Sequence, residues 1–321
     1  MMAHDRYARS LVCRRQISCV PAPVLAFFLP VFCALLMTVP VTAFAQSGDD
    51  LTVDVELVLA VDISWSMDRD EQILQRDGYA AAFRSKEVID AITWGGYGRV
   101  AVTYIEWAGE ASQLIVVPWT LIDSAESAAL FADRLLESTP KKLRRTSIAT
   151  ALSFSAELFQ QNNYRGLRRV IDISGDGPNN EGTPVDIVRD RLIEDNITIN
   201  GLPLMTNRTV ASRGYSIVNL DEYYAQCVIG GPSAFMIPVT SWEEFPNAVR
   251  RKLVLELSGR MPDGSDMMRT GLRHRQHGRD KGPDAPIWLA QSGTGETVFE
   301  QMDCLIGEKI WESRRWEWRD P

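Results

Sequence analysis

From about residue 53 the chain alternates short apolar runs with longer stretches whose apolar positions recur at helical spacing. The first run, Val53-Asp54-Val55-Glu56-Leu57-Val58-Leu59-Ala60-Val61, begins with strict alternation and becomes continuously apolar, which predicts a central strand covered on both faces. Further strands are predicted over 100–105, 114–117, 170–173, 197–204 and 235–239. Helices are predicted between them over 71–83, 125–136, 147–159, 184–193 and 242–257, the second preceded by Asp123 and Ser124, residue types that cap helices. The segment joining 100–105 to 114–117 contains Gly109 and leaves no room for a crossover helix, so these two runs form an antiparallel hairpin at the sheet edge. Strands alternating with helices in this way predict a three-layer α/β/α sandwich, Rossmann-like, with a doubly wound and mostly parallel sheet. The pattern spans 53–259, a length that suits one domain.

Both ends of the chain depart from this pattern. Arg6, Arg9, Arg14 and Arg15 precede an uncharged stretch from Val20 to Ala45, and Ala43 and Ala45 bracket Phe44 as at a signal-peptidase site. Residues 1–45 are therefore read as a secretory signal and 46–52 as a short lead, which implies a periplasmic or secreted protein. The alternative is an uncleaved leader acting as a membrane anchor, against which Pro21, Pro23, Pro30 and Pro40 repeatedly interrupt the stretch. Arg14-Arg15 leaves twin-arginine export open beside the general route, although Gln16, Ile17 and Ser18 fit that signal poorly. After Gly259 the composition shifts to Arg, Asp, Gly, Met and His without apolar period, and 260–286 is read as a flexible linker. In the tail, 287–321, Phe299, Met302, Ile306 and Ile310 stand near helical spacing beside Trp311, Trp316 and Trp318, so it is either a docked helix or a disordered aromatic tail.

Charge and cysteine usage narrow the function. The chain carries a formal −8, and loss of the Arg-rich leader makes the remainder more acidic still, a poor match to nucleic acid. Cys13, Cys19 and Cys33 leave with the leader. Cys227 and Cys304 remain, and an oxidising compartment permits a disulfide that sequence alone leaves open.

The candidate chemistry lies where the first strand ends. Asp62, Ser64 and Ser66 are spaced two apart, which lets an extended loop aim three oxygens at one point. Thr146 stands just before the third helix, and Asp176 follows the 170–173 strand in Ser174-Gly175-Asp176-Gly177, whose glycines are expected to permit a tight turn. Loops leaving the carboxyl ends of strands converge at the crevice of an open α/β sheet. Two carboxylates and three hydroxyls are hard donors suited to Mg²⁺ first, and to Mn²⁺ or Ca²⁺. Asp172, inside the strand, is read as structural, with a role behind the ligands conceivable.

In this order, Asp-x-Ser-x-Ser, then Thr, then Asp, these residues resemble the metal-ion-dependent adhesion site of von Willebrand factor type A domains. The resemblance covers roughly Val53 to Gly259. The phrases Arg169-Val-Ile-Asp-Ile-Ser-Gly-Asp-Gly, Ile199-Asn-Gly-Leu-Pro and Cys227-Val-Ile-Gly-Gly-Pro look like a bacterial branch known as domain-of-unknown-function family 1194. The resemblance implies one divalent cation at the top of the sheet, completed by an Asp or Glu carboxylate of a bound protein. Trp65 replaces a frequent Gly between the serines, and Arg145 replaces a frequent Gly before the Thr. Trp65 either forms part of a recognition surface or folds back onto the sheet. Arg144 and Arg145 either favour an anionic partner or are simply solvated.

An Asp followed by serines after a strand is often only a helix cap. The rival function is a hydrolase acting through a metal-bound water. Nucleophilic hydrolysis has little to work with, since His4 lies in the leader and His274 and His277 in the linker. No Gly-x-Ser-x-Gly elbow, Walker loop or dinucleotide turn occurs. The reading is an exported, metal-dependent protein-binding module. The mature protein is expected to begin near Gln46; N-terminal sequencing of exported protein checks this, and Met1 or Met2 retained in a membrane pellet would favour the anchor.

Overall fold

Leu51–Asp62 forms the first strand, β1, and every residue from Val53 onward in it is buried. Its side chains divide by parity: Val55, Leu57, Leu59 and Val61 enter one apolar core, Val58 and Ala60 the other. A strand covered on both faces must be apolar on both, which explains the continuous run. The computed structural model describes residues 50–137, 139, 141–206, 216–259, 267–269, 287–289 and 301–314. The leader (1–45), most of the 260–286 stretch, and Phe299, Trp316 and Trp318 lie outside the described residues.

The other strands are β2 (Val100–Trp107), β3 (Gln113–Ile122), β4 (Tyr164–Gly175), β5 (Ile197–Pro203), β6 (Phe235–Met236), β7 (Met267–Arg269) and β8 (Ile287–Leu289). They form one sheet in the order β3-β2-β1-β4-β5-β6-β8-β7. β1 pairs in parallel with β2 and β4, β4 with β5, and β5 with β6, while β3 runs antiparallel to β2 as the hairpin pattern predicts. β3 extends well past the predicted 114–117 because an outer strand tolerates Pro118, which has no N–H to donate. β6 is shorter than predicted: Pro238 interrupts it, although Val239 still bridges to Leu204. β7 and β8 pair with each other, placing three residues of the 260–286 stretch in a strand.

One face of the sheet carries α1 (Arg69–Phe83), α2 (Lys86–Thr93), α3 (Ala125–Glu137) and α7 (Phe245–Ser258). The opposite face carries α4 (Ile148–Leu158), α5 (Val185–Glu194) and α6 (Leu220–Tyr223), which continues into a π turn, Tyr224–Val228. This is the predicted three-layer sandwich. Ser124 caps α3 as its type suggests, its Oγ accepting from Ser127 N–H at 3.2 Å. α2 was not predicted. Two residues, Arg84 and Ser85, separate it from α1, Ser85 capping it, and its eight residues are too few to show a clear helical period on their own.

Several charged side chains inside the sandwich are paired. Arg76 and Glu106 meet at 2.6 Å with both side chains nearly inaccessible. Asp172 points from β4 toward α7, where Lys252 reaches it at 2.6 Å and also pairs with Glu256, to which Asn200 donates at 2.9 Å. Asp172 is therefore structural, as its place in the strand suggests. Burial, with the Asp172 charge adding to it, pushes Glu256 up to about 7, while burial also raises Asp172 against the pull of Lys252. Lys252→Met is expected to lower stability by about 3–5 kcal/mol, because it strands two buried carboxyls without a cation. In the folded state those carboxyls take up protons at higher pH than in the unfolded chain. Removing Lys252 raises them further, so the deficit is largest where wild type holds both carboxyls ionised and should shrink as pH falls from the alkaline side toward about 7. Urea unfolding of both proteins across that range checks the size and the sign.

Candidate metal centre

The strand order reverses between β1 and β4: β2 and β3 lie to one side of β1, and β5 and β6 lie beyond β4. The carboxyl ends of these two strands therefore flank the switch point, where open α/β sheets form their crevice. Asp62 is the last residue of β1, and Asp176 follows the last residue of β4.

Between Asp62 and α1 the chain turns through a loop whose oxygens face one another. Ser64 N–H donates to Asp62 Oδ1 at 2.6 Å, Ser64 Oγ and Ser66 Oγ are 3.0 Å apart, and Ser66 Oγ donates to Asp176 Oδ1 at 2.7 Å. Helix capping does not account for these serines. The cap of α1 is Asp68, which accepts from Glu71 N–H while Glu71 Oε2 accepts from Asp68 N–H, each at 2.8 Å. Thr146 reaches this end of the sheet through the backbone: Leu143 N–H donates to Ile63 O, and Thr146 exchanges hydrogen bonds with Asn180, N–H to Oδ1 at 3.0 Å and O from N–H at 2.8 Å. Among the described residues no hydrogen bond joins the Thr146 side chain to the other four candidate ligands. Ser147, next to it, caps α4.

The electrostatics favour a cation. Asp62 Oδ2 is buried without a hydrogen-bond partner. Burial and the neighbouring Asp176 charge push the Asp62 carboxyl well above the usual range. Burial raises Asp176 to about 6; the Ser66 hydroxyl pulls it down and the Glu71 charge pushes it up. Among the described residues no group of three or more His, Cys, Asp or Glu is gathered to hold a metal. What is gathered is two carboxylates with the hydroxyls of Ser64 and Ser66, a set of hard oxygens that fits Mg²⁺.

The glycines of the Ser174–Gly177 turn work differently from the expectation. Neither Gly175 nor Gly177 has positive φ. Gly175 is needed for space, since a Cβ there would stand 2.9 Å from Tyr224 Oη and 3.1 Å from Asp62 Oδ2. The residue that does hold the left-handed conformation is Arg145, at φ 74°, which accounts for glycine being frequent before the Thr of this motif. Its guanidinium lies 3.6 Å from the ring centroid of Trp311, with Glu181 at 3.9 Å. Trp65 is 58% exposed, with Lys142 Nζ 4.9 Å and the Arg144 guanidinium 5.0 Å from its ring centroid. It thus stands at the surface and does not fold back onto the sheet.

Several residues that organise the site carried no signal in the sequence. Asn179 is fully buried and donates or accepts toward Ala149 N–H, Glu181 O, Thr183 O and Glu308 Oε1. Ser216 Oγ donates to Asp176 O at 2.5 Å, and Gln75 Nε2 donates to Asp62 O at 3.3 Å. The pair Asn179-Asn180, three and four residues past Asp176, is the one feature that offers a hint, because Asn side chains hold turns by bonding backbone.

A family with the description Protein of unknown function (DUF1194) matches residues 52–261. Similar solved structures include proximal thread matrix protein 1 from the mussel byssus, with a zinc-occupied MIDAS motif. It is 15% identical over 65% of this chain and 49% of that one, with a TM-score of 0.45. A von Willebrand factor type A protein from Catenulispora acidiphila is 15% identical over 64% of this chain and 43% of that one, TM-score 0.43. The pilus adhesin SpaC from Lactobacillus rhamnosus GG is 11% identical over 64% and 31%, TM-score 0.48. The chain spans half or less of the length of each of these structures. No curated protein matches it.

Gly175→Ala is expected to cost about 1–3 kcal/mol, since the added methyl displaces Tyr224 or Asp62 in a packed site. Thermal melting in the presence of chelator checks this, and an unchanged midpoint would contradict the close approach described.

Proposed function

The chain belongs to the DUF1194 family and has a von Willebrand factor A-like fold, and from the chemistry of its site we propose that it is an exported module that binds a protein partner through one divalent cation. The observation that carries this reading is the buried, unpartnered Asp62 Oδ2 beside a second buried carboxylate and two linked hydroxyls. Leaving a carboxylate oxygen buried without a partner is costly, and a divalent cation offsets that cost. Asp62, Ser64, Ser66, Thr146 and Asp176 would hold it, with Mg²⁺ the best match and Mn²⁺ or Ca²⁺ alternatives. When bound, the ion supplies Lewis acidity to a further oxygen donor. On the resemblance to the metal-ion-dependent adhesion site, that donor would be an Asp or Glu carboxylate of the partner, entering a position that the two site carboxylates and the hydroxyls leave open.

The residues at the rim divide their roles. Trp65, held outward between Lys142 and Arg144, offers an exposed apolar face to a partner. Arg145 is engaged by Trp311 and Glu181 and shapes the loop in front of Thr146. The disulfide between Cys227 and Cys304 supports residence in an oxidising compartment, periplasmic or secreted.

Asp62→Ala and Asp176→Ala are each expected to abolish Mg²⁺ binding in calorimetric titration while circular dichroism stays that of the wild type. Wild-type affinity in either variant would sink the assignment. Ser64→Ala and Thr146→Ala should weaken partner capture more than ion retention, since hydroxyls acting through water set which position is open. Capture compared with and without chelator tests the metal requirement. Release of product from a phosphate or peptide ester would move the protein to the hydrolase class.

A further inference from the structure

The segment 301–314 lies beyond the residues matched by the family, 52–261, yet its contacts converge on the loops of the carboxylate site. Cys304 forms a disulfide with Cys227 at the end of the π turn, closing a separation of 77 residues. Met302 N–H donates to Gln226 Oε1 at 2.9 Å, and the Tyr223 hydroxyl faces Cys304 O at 3.5 Å. From this staple the helix α8 (Ile306–Arg314) crosses the loop between β4 and α5. The crossing is so close that a Cβ on Gly307 would stand 1.9 Å from Asn179 O, so no other residue fits there without movement.

Two side chains of α8 then reach the two loops that carry candidate ligands. Glu308 Oε1 accepts from Asn179 Nδ2 at 2.7 Å, three residues past Asp176. Trp311 stacks on Arg145, the residue before Thr146, at 3.6 Å. Arg145 sits in left-handed backbone at a cost of about 1–2 kcal/mol for a residue with a Cβ. Its contacts with Trp311 and Glu181 offset that cost and explain why this chain has Arg where glycine is conformationally easier. The two loops are also joined directly, through the paired hydrogen bonds of Thr146 and Asn180. α8 thus braces from outside a junction that the ligand loops already form.

We propose that the disulfide-stapled C-terminal helix is a positioning element of the cation site, with Trp311 acting through Arg145 and Glu308 acting through Asn179 to hold the Thr146 and Asp176 loops in register. This rests on the reading of the site as a cation site. Groups that orient ligands without touching the ion commonly govern its affinity by about 10–100-fold.

The test uses the full chain with two independent lesions: Trp311→Ala combined with Glu308→Ala, which keeps the disulfide, and Cys227→Ser combined with Cys304→Ser. Mg²⁺ affinity is measured by calorimetry, and amide exchange at Thr146 and Asn180 is measured in chelator. Affinity is expected to fall about 10–100-fold in both, with faster exchange at those two amides and unchanged exchange in the centre of β1 and β4. Trp311→Phe, which keeps an aromatic face for Arg145, should retain most of the affinity. Wild-type affinity in both combined variants overturns the proposal, as does unchanged exchange at Thr146 and Asn180. Failure of the wild-type chain to take up Mg²⁺ overturns the cation reading and the proposal that rests on it. That result is distinguishable, because exchange at the two amides still reports whether the helix orders the loops.

Discussion

The parallel pairing of β1 with β4 is the constraint on which the rest of the structure depends. Its register sets Val61 opposite Ser174, so that one strand ends in Asp62 just where the other delivers Gly175 and then Asp176. A slip of β1 by one residue would turn Asp62 to the wrong face and drive Val58 and Ala60 out of their core. The register is held by apolar burial on both faces and by polar anchors far from the site. Near the start of β1, Glu56 accepts from Gly166 N–H and Asn162 Nδ2, each at 2.9 Å. The geometry of the carboxylate pair is thus decided largely by residues that never approach it.

What the sequence made legible follows from how local each signal is. β1, β2, β4 and β5 are written as apolar runs, and helices α1, α3, α4, α5 and α7 as apolar periods, so their existence and order could be read directly. Asp62, Ser64, Ser66 and Asp176 were legible because one motif sits at a strand end and another in a turn, and the topology then joins them. α2 was hidden by its shortness. The role of Gly175 is not legible in the sequence, because its close approach to Tyr224 is a tertiary fact, whereas a tight turn is a local one. Arg145 shows the reverse case: its sequence position was noticed as unusual, but only the fold gives the reason, a left-handed backbone balanced by a distant tryptophan.

The network around Asn179 and Asn180 lies between these extremes. Each amide side chain bonds to backbone in segments far apart in the chain, and nothing in spacing or hydropathy marks such a hub. Its physical role is nonetheless plain. Loops at the carboxyl edge of the sheet have no ladder to satisfy their N–H and C=O groups, so buried side-chain amides take that place. The arrangement of these loops rests on such bonds and not on secondary structure.

The same edge also concentrates a cost to stability. Asp62 and Asp176 share a buried site in which each raises the cost of ionising the other, and Tyr224 and Trp107 add buried polar atoms without partners beside them. The fold tolerates this because most of the two cores is apolar and the interior charges Arg76 with Glu106 and Lys252 with Asp172 are paired. Any ligand that binds only the folded chain stabilises it in proportion to the logarithm of one plus the ratio of its free concentration to its Kd. On the proposed reading, a cation that neutralises the pair would draw affinity from the cost of keeping two carboxyls buried together. The more completely the surrounding loops are braced, the less that cost can be relieved by movement, and the more of it would remain to favour binding.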